Sequence, residues 1–199
     1  MKKSTAILST ILSVLVVVTI SQAYAIEEGG CWVSGGGTLG CAGDSQRGSF
    51  GGNAMTMKDR SVRGTWTHIS QDSEVIFQGE VHYIICKKFP SLSGPGVPTA
   101  YPNYANFGGT GVFNGDDGYY FDVKVFDHGE PGKYRDRYAI DIYDSTKTLV
   151  YHADGQNTRY CHECLEDDDV TLDLAWVLDL GCISGGNVQI HPPVGGHPY

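Results

Sequence analysis

The sequence is poor in positive charge: 14 Lys and Arg stand against 23 Asp and Glu, a net charge of −9 over 199 residues. Nucleic acids and anionic membrane surfaces are gripped by clustered Lys and Arg, so this balance excludes them as expected partners. Long apolar runs are also missing beyond the first 25 residues, and no membrane span is expected there. Familiar catalytic motifs are absent as well: there is no G-x-S-x-G elbow, no H-E-x-x-H, no Walker loop and no strand-linked G-x-G-x-x-G opening a helix. Those absences remove the common hydrolase, zinc-protease and nucleotide-binding readings, and no cofactor is expected. Internal repeats, low-complexity tracts and an interdomain linker are lacking too, which leaves one domain as the default.

What is present begins with an export signal. Lys2 and Lys3 form a short positive head, an apolar stretch runs from Ala6 to Ile20, and small residues stand at Ala23 and Ala25. The apolar part is shorter than the roughly 20 residues of a spanning helix, so residues 1–25 read as a cleavable signal peptide. The first downstream cysteine, Cys31, follows Glu-Glu-Gly-Gly rather than the spacing of a lipoprotein site. The mature chain, 26–199, is expected to be one secreted domain, extracellular or, in a host with an outer membrane, periplasmic. Loss of Lys2 and Lys3 takes its charge from −9 to −11.

Six cysteines, Cys31, Cys41, Cys86, Cys161, Cys164 and Cys182, all lie in that mature part. An even number in an oxidising compartment favours structural disulfides. Their pairing is not set by the sequence, although a local Cys31–Cys41 bridge is the expected one. The C-x-x-C pair Cys161 and Cys164 has an alternative as a zinc site, completed by His152 or Cys182 if the fold brings them together.

Period-two alternation and turn residues define the fold class. Val75, Phe77, Val81, Tyr83 and Ile85 alternate with Gln78, Glu80 and His82, which predicts a half-buried strand with those five residues inward. Tyr119, Phe121, Val123 and Val125 alternate in the same way, as do Tyr138, Ile140 and Ile142. Asn114 to Gly118 and Asp127 to Gly132 supply residues that reverse the chain. Strands are expected near 32–37, 46–57, 61–69, 74–86, 106–113, 118–126, 137–143, 148–152 and 186–191, with another from 172 after an acidic loop at 166–169. Phe89 to Ala105, with four prolines, reads as a surface loop. The expectation is an all-β, mainly antiparallel meander closed into a barrel or a two-sheet sandwich, with little helix.

Six segments stand in one order: Trp32 to Leu39, Ser49 to Met55, Gly109 to Gly115, Asp127 to Gly132, Arg137 to Ile142 and Gly186 to His191. Together they resemble the exported bacterial domain called post-COAP-1. The resemblance implies secretion and a β fold, and it carries no established activity and no catalytic residues.

The leading expectation is therefore a non-catalytic secreted domain of unknown ligand with a binding, adhesion or envelope-associated role, a glycan or envelope component being one candidate ligand. Tyr101, Tyr104, Tyr119, Tyr120, Tyr134 and Tyr143 fall in loops or at outward positions, where tyrosines stack on sugar rings and apolar ligands. One alternative is a small hydrolase or metal-dependent enzyme at Asp127, His128 and Glu130, since carboxylates can orient a titrating imidazole. A second is a barrel carrying a small apolar ligand. Calcium at Asp116-Asp117 or at 166–169 is a lesser reading, because neither run has the ligand spacing of a known calcium loop.

Overall fold

The computed structural model describes residues 30–40, 47–89, 102–154 and 180–192. The signal segment, Cys41, Tyr101, the Cys161–Cys164 pair, the acidic run at 166–169 and the alternating run from 172 to 179 lie outside the described residues.

The described chain is all β. Ten strands, β1 (Trp32–Leu39), β2 (Gly48–Thr56), β3 (Val62–Ser70), β4 (Val75–Lys87), β5 (Tyr104–Phe113), β6 (Asp116–Phe126), β7 (Arg137–Tyr143), β8 (Leu149–Ala153), β9 (Gly181–Cys182) and β10 (Gly185–His191), make one antiparallel sheet. Its order is β10-β1-β2-β3-β4-β5-β6-β7-β8, with β9 also on β7. Among the described residues no helix is long and apolar enough to cross a membrane.

Alternation explains which face each strand buries. Phe121, Val123 and Val125 of β6 and Tyr138, Ile140 and Ile142 of β7 point inward, where they join Val33, Phe50, Trp66, Phe77, Phe107, Ala153 and Val188 in one core. The β5–β6 hairpin turns at Asn114 and Gly115, whose φ angles of 53° and 94° are the positive values a two-residue hairpin needs. Asn114 Oδ1 accepts a 2.7 Å bond from the Ile76 amide, which ties the turn to β4.

One expectation fails inside β4. Val81 pairs with Gly109 and Tyr83 with Gly108, so His82 is an extra residue in the ladder, a β-bulge. The bulge moves the alternation by one: Val75, Phe77 and Val81 are buried, whereas Tyr83 and Ile85 face outward at 39% and 43% exposure. Beyond the bulge β4 has also left β3, with which it pairs only as far as Glu80.

The same departure bends the sheet. Cys31, just before β1, is disulfide-bonded to Cys86 near the end of β4, with 6.4 Å between their Cα atoms. In a flat sheet β1 and β4 would be three strand spacings apart, about 14 Å. The sheet is therefore strongly curled, and the free half of β4 folds back over the start of β1. The expected Cys31–Cys41 bridge is corrected here, because the curl, rather than sequence proximity, chooses the partner. Cys182 is disulfide-bonded as well.

At the far edge, β6 occupies one side of β7 along its whole length. On the other side Ala153 of β8 stands opposite Ile140, and Gly181 of β9 stands opposite Tyr138. β8, which ends at Ala153, and β9, which begins at Gly181, thus lie in line on the same side of β7. From β9 the chain passes through Ile183 and Ser184 into β10, which pairs with β1 at the opposite end of the sheet. β9 and β10 so bring the two ends of the sheet together.

Candidate functional site

Three groups of polar side chains could carry function. The first contains the acids named from the sequence. Asp127 directly follows β6, and its Oδ2 accepts a bond from the Ile190 amide at 2.9 Å while Oδ1 accepts one from the Gly129 amide. Glu130 accepts bonds from the side-chain amides of Asn187 and Gln189, both at 2.7 Å. Asp136, which sequence reasoning did not single out, accepts from the Val188 amide at 2.7 Å and the His128 amide at 3.0 Å. The His128 ring packs edge-on against Phe126. Val188 and Ile190 are alternate residues of β10, so their amides point away from β1. Asp127 and Asp136 therefore bond the β10 backbone where a neighbouring strand would, their other oxygens hold their own loop, and Glu130 bonds two β10 side chains.

The second group lies in the core. His68 is fully buried, with Nδ1 3.2 Å from the Tyr138 hydroxyl and Nε2 3.0 Å from that of Tyr151, and Trp66 Nε1 donates to the same Tyr138 oxygen. Burial lowers the His68 imidazole to about 4, so it is neutral at ordinary pH. Phe50 stacks on Tyr138 at 3.9 Å between centroids and Trp66 meets Phe107 edge-on at 4.8 Å. These rings pack together in the core. Because the native imidazole resists protonation that the unfolded one accepts near 6.5, its stability contribution is complete above about pH 6.5 and is lost as pH falls through about 4. Urea unfolding of His68→Gln is accordingly expected to show a shallower acid decline between those limits than the unsubstituted protein. An identical decline would mean that His68 titrates normally.

The third group is on the outer face of β4 to β8, where the register aligns Tyr83, Gly108, Asp122, Asp141 and His152 in one row across five strands. The Tyr83 hydroxyl donates a short bond to Asp122, which also accepts from Asn106 Nδ2 at 2.5 Å. Burial, reinforced by the Asp122 carboxylate, pushes that hydroxyl well above the ordinary tyrosine range. His152 is clamped by Asp141 at Nδ1, 2.6 Å, and by Asp154 at Nε2, 3.3 Å. These two bonds raise the imidazole to about 10, so it is an imidazolium at neutral pH. Lys124 lies 3.9 Å from Asp141, and Tyr120 and Tyr143 form the adjoining row, with the Lys147 ammonium over the Tyr120 ring. An NMR titration is expected to find His152 protonated at pH 8, and Asp141→Asn is expected to bring its midpoint down toward the usual histidine range. A midpoint near 6.5 in the unsubstituted protein would show that the clamp does not form.

Other expectations resolve individually. Of the tyrosines named as outward, Tyr120 is exposed and Tyr119, Tyr134 and Tyr143 are half-buried. Tyr104 is buried, in a second small cluster with Phe126, Ala139, Leu180 and Phe89. Asp116 and Asp117 are exposed at the start of β6. Among the described residues no group of three or more His, Cys, Asp or Glu is placed to hold a metal ion. Cys182 is committed to a disulfide and both His152 nitrogens to carboxylates. Tyr83 was missed because the bulge reverses its face. Asp122 and Asp141 read as outward from alternation alone, and only the strand register places them side by side. No family model, no curated protein and no solved structure matches the chain.

Proposed function

We propose that the mature chain is an exported, non-catalytic binding domain whose ligand-facing surface is the outer face of β4 to β8. The observation that carries this reading is the division of labour between the two faces. The inner face is occupied by Trp66, Phe77, Phe107, Tyr138 and His68, and the acids of the 127–136 loop are engaged in holding β10. The outer face presents tyrosine rings beside fixed carboxylates, an amide and two cations, the mixture of apolar surface and oriented polar groups that recognition sites use. Export through the signal at 1–25, the resemblance to the post-COAP-1 domain and the Cys31–Cys86 disulfide are in keeping with a role outside the cell or at its envelope. Cosedimentation of the oxidised mature protein with envelope fractions of the host tests the reading. Binding that is lost in the double variant Asp122→Ala, Asp141→Ala, with the fold intact by circular dichroism, is the expected result. Retention by that folded variant would move the ligand-facing surface elsewhere.

A further inference from the structure

We propose that Tyr83 is the stacking platform of a site for a neutral saccharide. The inference rests on the binding reading above and gives it a ligand class. Tyr83 directly follows the bulge and does not project into solvent: its ring lies across Gly108 of the neighbouring strand. A Cβ built on Gly108 would meet the Tyr83 hydroxyl at 2.6 Å and Cε1 at 2.9 Å, so glycine leaves the bed in which the ring rests. The far end of the ring is held by the bond from its hydroxyl to Asp122, and Asn106 holds Asp122 in turn. The ring is fixed at both ends, with one side against the sheet and 39% of the residue open to solvent. An aromatic face held in this way loses little conformational freedom when a ligand covers it.

A saccharide matches such a surface because one face of a sugar ring presents C–H groups and its rim presents hydroxyls. The C–H face would lie on Tyr83, extended on one side by exposed Ile85. The hydroxyls require acceptors and donors close by: the row supplies Asp122 and Asp141 as acceptors and the adjoining row supplies Lys124 as a donor, while Asn106, whose Nδ2 bonds both Asp122 and the Val123 carbonyl, holds the acceptor in place. Adjacent strands are about 4.8 Å apart, so neighbouring members of the row meet groups across a ligand one sugar ring wide. Charge sets the class further. Asp122, Asp141 and Asp154 stand against Lys124 and the His152 imidazolium, which leaves the patch near balance within a strongly acidic chain. A polyanionic ligand would be repelled by the whole molecule, whereas a neutral saccharide is not.

The test uses oxidised protein 26–199 titrated with cellohexaose, chitohexaose and mannohexaose, and separately with envelope polysaccharide of the host. Binding is followed by calorimetry and by NMR of the tyrosine rings. Shifts of the Tyr83 ring and the Asn106 side-chain amide are expected with at least one of these ligands. Tyr83→Ala is expected to weaken that binding about tenfold or more, as removal of a central aromatic anchor does, and Tyr83→Phe to weaken it less. Ile76→Ser, at the exposed β3–β4 end of the sheet, serves as the folded control and should bind as the unsubstituted protein does. Saccharide binding that leaves Tyr83 unshifted and survives Tyr83→Ala would overturn the platform and leave the binding reading standing. Cosedimentation with envelope fractions without binding to any saccharide would overturn the ligand class alone. Absence of both would overturn the inference together with the reading beneath it.

Discussion

Asp136→Ala is expected to lower the stability of the fold by about 3 kcal/mol, since a buried and a part-buried backbone amide left without an acceptor cost roughly 1–3 kcal/mol each and loss of a buried carboxyl group offsets part of that sum. Thermal unfolding should show a drop on the order of 10 °C for a domain of this size. The amides concerned are those of Val188 and His128, so the substitution frees the outer edge of β10 and the 127–136 loop together. The effect should depend on pH. Burial raises the Asp136 carboxyl to about 7, aided by Asp127 and Glu130 and opposed by the two amide bonds. The native chain keeps a proton that the unfolded chain releases near 3.8. The stability this group contributes is therefore complete below about pH 4 and lost as pH rises through about 7. The gap between the unsubstituted protein and Asp136→Ala should be larger at pH 5 than at pH 8. An equal gap at both would mean that the buried carboxyl does not titrate in that window.

The second large effect is expected from the disulfide. Replacing Cys31 and Cys86 together with alanine opens a loop whose ends are 55 residues apart, and the chain-entropy relation assigns such a closure about 4 kcal/mol. Guanidinium unfolding of the double variant measures it. The single variants, each leaving one thiol, should lose a similar amount. A loss below about 1 kcal/mol would show that the curl of the sheet is set by packing alone. Should the loss be found, hydrogen exchange would be expected to rise first at the free half of β4, residues 82–87, because this stretch has no β3 neighbour and depends on β5 and the bridge.

Much of the fold was legible from alternation and turn chemistry. The β6 and β7 core residues, the hairpin at Asn114-Gly115 and the bounds of nine strands could be read because each depends on neighbours in the chain. Tyr83 and Ile85 could not. Their apolar side chains continue the period of Val75, Phe77 and Val81, and the one-residue slip at His82 is written in the partner strand, where Gly108 and Gly109 admit it. β9 was missed because two residues carry no period. Asp136, between Arg135 and Arg137, reads as a solvated loop charge, and its burial follows from β10 arriving from the other end of the sheet. The candidate site divides in the same way. Outward positions were visible for Asp122 and Asp141, whereas the row from Tyr83 to His152 exists only through register, a long-range property.

The passage from β9 to β10 has a consequence for the order of folding. Residues 181–191 bond β7 through their first members and β1 through the rest, so this short segment can take its place only when both ends of the sheet have formed. Pairing between such distant parts of the chain carries a large loop-closure cost, and the joining segment is expected to be late to fold.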